Sequence, residues 1–121
     1  MFRSLFRGMG GPAHGLNIKS TNATELNERI QSGEELLLLD VRTSQEYAHD
    51  GHVTGSRLLP MNMLMQRSSE LPKDATIICI CRSGNRSQAA CEQLATMGFE
   101  DVTNLQGGMF GWRRAGLPVE R

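Results

Sequence analysis

The sequence is poor in aromatic residues and in cysteine, and it carries no net charge. Aromatic residues make up 5% of its 121 residues, and it contains three cysteines. Lys and Arg together number 13, as do Asp and Glu, so there is no positive excess to bind a polyanion. We therefore expect no nucleic-acid partner.

Long hydrophobic runs are also missing. An apolar run such as the four leucines at 36–39 is far too short to cross a bilayer. The N-terminus lacks the apolar block of a secretory signal. We therefore expect no membrane span and a cytoplasmic protein.

The three cysteines indicate at least one free thiol, because an odd number cannot all pair within the chain. Cys79 and Cys81 lie two apart on a predicted strand, with roughly 6.5 Å between their Cα atoms and a poor mutual orientation for a disulfide. A free thiol favours a reducing compartment. There a lone cysteine is either inert core filler or a nucleophile.

The length fits one domain that can bury a core without disulfides or metals. The first 16 residues have apolar side chains at helical spacing and end near Gly10, Gly11 and Pro12, but a helix this short is marginal in water. We predict that residues 1–16 form a flexible N-terminal tail and that residues 17–121 form the domain.

Apolar runs of strand length alternate with helix-like stretches, which is typical of an α/β domain with a mainly parallel sheet. The second and fourth runs are continuously apolar, as expected for central strands covered by helices on both faces. We predict five strands, at 17–19, 35–39, 56–59, 76–80 and 102–104.

Helices are predicted between the strands, where capping residues or glycines bound a stretch with apolar side chains at helical spacing. They are a helix capped by Asn22 and ended by Gly33, one with a capping box of Thr43 and Glu46 closed by Gly51, a weaker one at 61–68, the strongest at 87–97 before Gly98, and a last one at 109–115.

The most informative segment lies between the fourth strand and the strongest helix, and it reads Cys81-Arg82-Ser83-Gly84-Asn85-Arg86-Ser87. Ligands of parallel sheets bind beyond the carboxyl ends of the strands, and a helix N-terminus presents unpaired N–H groups and the positive end of its dipole. Gly84 and Asn85 tolerate positive φ, so the amides can converge on one centre. Arg82 and Arg86 add positive charge.

The position of Cys81 between a strand end and a helix N-terminus predicts an activated cysteine. A free thiol with a pKa near 8.5 is only a few per cent ionised at neutral pH, whereas a thiol whose pKa is about two lower is mostly thiolate. That change corresponds to about 2.7 kcal/mol of stabilisation of the charged form. Cys81 is therefore the predicted nucleophile, without a histidine base beside it.

These residues resemble the rhodanese-like sulfurtransferases, and the resemblance extends over about residues 18–119. Besides the cysteine loop it rests on four short segments, which are weak singly and specific in this order: Asp40-Val41-Arg42, Gly51-His52-Val53-Thr54-Gly55-Ser56, Gly107-Gly108 with Trp112, and Gly116-Leu117-Pro118. The resemblance implies a three-layer, doubly wound α/β domain with a central five-stranded sheet.

It also implies a reaction in two steps. Cys81 attacks the outer sulfur of a donor such as thiosulfate and becomes a persulfide, and a thiol or cyanide then takes that sulfur. The loop amides from Arg82 to Ser87 would cradle the persulfide, and Arg82 and Arg86 would contact the anionic donor. Thioredoxin, glutathione or a sulfur-carrier protein are compatible acceptors. We expect a monomer that needs no cofactor or metal.

Two other functions are compatible with a reactive cysteine here. Related cell-cycle phosphatases need five residues between the cysteine and a phosphate-binding arginine, whereas here four precede Arg86 and Ser87 stands where that arginine would be. A second alternative is a sensing module in which Cys81 signals to a partner without turnover.

Other residues near the loop have less specific roles. Asp40 and Arg42 follow a central strand and reach the same sheet edge, where we favour a supporting ion pair over direct contact with the donor. Cys79 is expected in the core and Cys91 half-buried on a helix. His49 and His52 lack the spacing of a zinc site.

Overall fold

The structure, a computed structural model, describes residues 17–121, so the predicted tail at 1–16 lies outside the described residues. In the described part the strands are β1 (Ile18–Thr21), β2 (Leu37–Asp40), β3 (Arg57–Leu58), β4 (Ile77–Ile80) and β5 (Val102–Leu105). The helices are α1 (Ala23–Gln31), α2 (Ser44–His49), α3 (Leu64–Arg67), α4 (Asn85–Thr96) and α5 (Gly108–Arg114), with 3₁₀ turns at Met61–Met63 and Ser68–Glu70.

The strands form one sheet in the order β1-β5-β4-β2-β3, and each of these neighbouring pairs is parallel. β2 and β4 lie side by side, and the chain leaves them toward opposite edges of the sheet. The crevice beyond their carboxyl ends is therefore the topological switch point, where open α/β sheets bind ligands. Cys81 directly follows β4, so it lies at that crevice.

Helices cover both faces of the sheet, which confirms the predicted three-layer α/β architecture. On one face, α3 and α4 bury Leu64, Ala90 and Leu94 against the sheet. On the other, α1 and α5 bury Leu26 and Trp112. The continuous apolar runs of β2 and β4 agree with this arrangement, because both faces of these strands are removed from water.

The predicted helix ends agree with the structure where a side chain or a glycine fixes them. Asn22 accepts a hydrogen bond from the Glu25 N–H at 2.9 Å, and Thr43 with Glu46 forms the predicted capping box. Gly33, Gly51 and Gly98 each come after a helix and have a positive φ. No helix within residues 17–121 is long and apolar enough to span a membrane.

Several predicted boundaries differ from the structure by one or two residues, and β2, for example, begins at Leu37 rather than at residue 35. β1 begins and ends later than 17–19, and the single helix predicted at 61–68 is divided into a 3₁₀ turn, α3 and a second 3₁₀ turn. α4 begins at Asn85 rather than at Ser87, because Gly84 with φ 108° turns the chain into the helix and its carbonyl accepts from the Gln88 N–H.

Candidate active site

Cys81 lies at the end of β4 with its sulfur facing the first turn of α4. The Gly84 N–H donates to its Sγ at 3.1 Å and the Ser87 N–H donates at 3.3 Å. Both amides are free to do so because the first turn of a helix has no preceding carbonyl to bond. The residue is only 1% exposed, so its sulfur is almost completely shielded from solvent.

The environment lowers the pKa of the Cys81 thiol below its ordinary value. Burial raises the pKa, but the Ser87 hydroxyl and the N–H groups of Ser87, Gly84 and Ser83 outweigh it by donating to the charged sulfur. The N-terminal end of α4 adds the positive end of the helix dipole. The site therefore favours the thiolate more than an ordinary cysteine environment does.

The remaining members of the loop divide into buried and exposed residues. Gly84 and Ser87 are buried, whereas Arg82, Ser83 and Asn85 are exposed. Of the two loop residues that tolerate positive φ, Gly84 adopts it, whereas Asn85 is the first helical residue of α4 and does not.

The first turn of α5 holds the loop from the other side. The N–H groups of Met109 and Phe110 donate to the carbonyls of Cys81 and Arg82 at 2.8 and 2.9 Å. Gly108 has φ 52° and approaches so closely that a Cβ there would meet the Cys81 carbonyl oxygen and lie 2.6 Å from the Arg82 carbonyl carbon. With its carbonyls bound to α5, the loop turns its amides toward the sulfur.

A buried polar pair stands behind the sulfur. The Ser87 Oγ lies 3.2 Å from Cys81 Sγ and 2.5 Å from the Oδ1 of Asn104 on β5. The Asn104 Nδ2 donates to the Gly84 carbonyl at 3.2 Å. Asn104 therefore ties β5 to the loop that surrounds Cys81.

The two arginines occupy different environments. Arg82 is exposed, while Arg86 donates two hydrogen bonds of 2.8 Å to the carboxylate of Glu46. The hydrogen bond from Arg86 lowers the pKa of Glu46 to about 2. Glu46 thus caps α2, as predicted, and also holds the arginine that was expected to contact the donor.

Asp40 and Arg42 form a buried ion pair at the end of β2. Arg42 Nε and Nη2 donate to the two carboxylate oxygens at 2.9 and 2.8 Å, and Nη2 also donates to the Gly51 carbonyl at 2.8 Å. The two side chains are 0% and 1% exposed. The pair therefore fixes the loop after β2 to the segment that follows α2, as a supporting pair would.

The other two cysteines are packed in the core. Cys79 is fully buried as expected, whereas Cys91, expected to be half-buried, is also fully buried because it faces the sheet from α4. The contact with Cys91, together with burial, raises the pKa of the Cys79 thiol well above its ordinary value. Cys81 is thus the cysteine whose surroundings stabilise a thiolate.

Two residues of this site have contacts that the sequence does not reveal. Asn104 lies at the end of a predicted strand and follows another polar residue, Thr103, so its polarity gives no distinct signal of a role. Gly108 is part of a Gly-Gly pair whose sequence indicates a turn but not the backbone it touches. Among residues 17–121 no three His, Cys, Asp or Glu side chains are grouped so as to hold a metal ion.

Comparisons with known proteins agree with this geometry. The model of the family described as "Rhodanese-like domain" matches residues 22–115. A sulfurtransferase of Allochromatium vinosum is 39% identical over 102 residues, covering 84% of this chain and 94% of that protein. The putative sulfurtransferase YtwF of Bacillus subtilis is 37% identical over 97 residues, covering 80% of this chain and 92% of that protein.

The structure is likewise similar to solved structures. The crystal structure of a rhodanese-related protein from Thermoplasma volcanium superposes with a TM-score of 0.76 at 34% identity, covering 84% of this chain and 97% of that one. The family model spans well over half of the chain, and the sequence and structural relatives match it nearly end to end. The chain therefore belongs to the family of rhodanese-like domains.

Proposed function

We propose that the protein is a sulfurtransferase in which Cys81 carries sulfur as a persulfide. The observation that supports this most strongly is the set of donors around Cys81 Sγ, two backbone N–H groups within 3.3 Å and the Ser87 hydroxyl at 3.2 Å. Such donors favour a negatively charged sulfur. The relatives named sulfurtransferases support a role in sulfur transfer.

The proposed reaction is balanced without a cofactor. The Cys81 thiolate attacks the outer sulfur of thiosulfate, the sulfur–sulfur bond of the donor breaks, and sulfite leaves with the electron pair. An acceptor thiolate then attacks the outer sulfur of the persulfide, and the Cys81 thiolate is regenerated as the leaving group. Cyanide can replace the acceptor thiol in the same way.

The loop supplies the groups that each step needs. The N–H groups of residues 82–87 are proposed to surround the outer sulfur, which carries the negative charge of the persulfide. Arg82 is exposed and can meet an anionic donor directly. Arg86 can do so only by sharing or leaving Glu46, so we propose that donor and carboxylate compete for this guanidinium.

Ser87 also bears on phosphate-ester hydrolysis. In a phosphatase of the cell-cycle type, an arginine at position 87 would bind the phosphate. Here the Ser87 side chain is fully buried and directed at the sulfur. The loop thus presents a small polar group where a tetrahedral phosphate would need a cation.

Thioredoxin, glutathione and sulfur-carrier proteins remain compatible acceptors, and a cytoplasmic monomer stays a prediction.

Intact-protein mass spectrometry after incubation with thiosulfate tests the proposal. Wild-type protein should gain the mass of one sulfur and lose it when a thiol is added, and Cys81→Ala should gain none. Cys91→Ala is the matched control and should load like wild type, because Cys91 lies in the core. Equal loading of Cys81→Ala, or no loading of wild type, would contradict the assignment.

A further inference from the structure

The Ser87 hydroxyl lies between two atoms that both accept hydrogen bonds. Cys81 Sγ is 3.2 Å from its oxygen on one side, and Asn104 Oδ1 is 2.5 Å away on the other. A serine hydroxyl carries one proton, so it can donate to only one of them at a time. Which of the two receives the proton depends on the charge of the sulfur.

The orientation of Asn104 is fixed by the loop itself. A carbonyl oxygen can only accept, so the group that contacts the Gly84 carbonyl at 3.2 Å has to be the NH2 of the amide. Oδ1 consequently points at Ser87 and can only accept, so the Ser87 O–H is the donor in this contact. Asn104 is buried, so no bulk water can replace Ser87 as its donor.

We propose that Asn104 is a positioning residue that acts on Cys81 through the Ser87 proton, an inference that rests on the proposed sulfur transfer. With a neutral thiol, the S–H donates to Ser87 Oγ and the Ser87 O–H donates to Asn104. When the thiol proton leaves to solvent, the Ser87 O–H rotates to the thiolate and keeps its own proton. Asn104 Oδ1 then loses its donor.

This arrangement favours the loaded enzyme over the free thiolate. In the persulfide the negative charge is on the outer sulfur, and Cys81 Sγ is again a neutral, weak acceptor. The Ser87 proton can then return to Asn104. The buried Asn104 oxygen is therefore satisfied in the thiol and in the persulfide and is left unpaired only in the thiolate, which makes the thiolate readier to take sulfur.

Other charges around Cys81 do not depend on Asn104. Arg86 interacts electrostatically with Cys81 and with Asp40, and it is bound by Glu46. Arg82 belongs to the loop itself, and Asp40 is bound by Arg42. A substitution of Asn104 leaves these charges in place but also removes its hydrogen bond to the Gly84 carbonyl. A shift in the titration of Cys81 therefore reports on the Ser87 proton only if it disappears when Ser87 is replaced.

The test is the pH dependence of Cys81 alkylation by iodoacetamide in a double-mutant cycle. Asn104→Val should lower the pH midpoint by about half to one unit, a three- to tenfold larger ionisation constant, because Ser87 then donates to the thiolate without competition. Ser87→Ala should raise the midpoint. In the Ser87→Ala background, Asn104→Val should have no further effect.

A matched control is Thr103→Val on the same strand, because the buried Thr103 hydroxyl makes no hydrogen bond within the described residues. It should leave the midpoint unchanged. If Asn104→Val does not fold, Asn104→Ala should shift the midpoint in the same direction. A raised midpoint in either Asn104 variant, or the same shift with and without the Ser87 hydroxyl, would overturn the proposal.

The loaded fraction gives a second readout. At a fixed ratio of thiosulfate to sulfite, the Asn104→Val protein should carry three- to tenfold less persulfide relative to thiolate than wild type. Equal loading of the two proteins would contradict the role proposed for Asn104. If wild type itself gains no sulfur, the proposed function fails. The alkylation cycle still decides whether Asn104 acts through Ser87, so the two failures are distinguishable.

Discussion

Replacing Gly108 with alanine is a direct way to disturb the support of the Cys81 loop. Gly108 has φ 52°, a conformation that costs an alanine roughly 1 to 2 kcal/mol. Its added Cβ would meet the Cys81 carbonyl oxygen and lie 2.6 Å from both the carbon and the oxygen of the Arg82 carbonyl. These are backbone atoms, so the loop or α5 has to move.

That movement should weaken two hydrogen bonds, from Met109 to Cys81 and from Phe110 to Arg82. Each contributes about 1 kcal/mol to stability. Together with the cost in φ, we expect Gly108→Ala to lower the free energy of unfolding by about 3 to 4 kcal/mol. For a chain of 121 residues this corresponds to a drop in Tm of roughly 10 to 16 °C.

Gly111→Ala is the matched control, because Gly111 lies inside α5 and an added Cβ would lie 3.8 Å from the Gln106 carbonyl oxygen, an ordinary van der Waals contact. Urea unfolding should place this variant within about 1 kcal/mol of wild type, on the stabilising side. The alkylation midpoint of Cys81 should rise in Gly108→Ala and stay unchanged in Gly111→Ala. Equal stability of the two variants would refute the role given to Gly108.

Three further predictions concern charged residues. Arg42→Met should lower the free energy of unfolding by about 3 to 5 kcal/mol, because it leaves the Asp40 carboxylate buried without its partner, whereas Arg67→Met should cost under about 1 kcal/mol at an exposed pair. Glu46→Gln keeps the cap but loses the ion pair, so wild type should be about 1 kcal/mol more stable above pH 5. That advantage should fade as the pH falls toward 2, the pKa of the carboxyl. Arg86→Ala should reduce kcat/KM for thiosulfate severalfold and lower Tm by only about 4 °C, because it loses the same ion pair.

Each of these has a clear contrary result. Equal losses for Arg42→Met and Arg67→Met in urea unfolding would show that the buried pair is dispensable. A stability gap between wild type and Glu46→Gln that persists at pH 2 would mean that the carboxylate is not what stabilises this contact. A collapse of the thermal transition in Arg86→Ala would make that arginine structural rather than a contact for the donor.

The central part of the fold is readable from the sequence because burial leaves a local signal. The apolar runs at 36–39 and 76–80 predict the two neighbouring strands β2 and β4, since only strands covered on both faces are apolar throughout. Asn22, Thr43 and Glu46 predict helix starts because a cap acts within three residues. The start of α4 is less well predicted, because the conformation of Gly84 decides it.

The site is readable only in part, since several of its contacts join distant segments. Cys81, Gly84 and Ser87 are close in sequence, so the loop that surrounds the sulfur is predictable. Arg86 meets Glu46 across 40 residues, and Ser87 meets Asn104 across 17. No local pattern shows that a predicted donor contact is already bound to a carboxylate or that a strand asparagine reaches the serine.

The charge of Cys81 at neutral pH is the property on which the proposed function depends. Thiolate absorbance at about 240 nm, measured against pH for wild type and for Cys81→Ala, isolates the titration of this one sulfur. The difference should have its midpoint clearly below 8.5, the ordinary value for a free thiol. A midpoint at or above 8.5 would contradict the claim that the loop amides and Ser87 hold the sulfur as a thiolate.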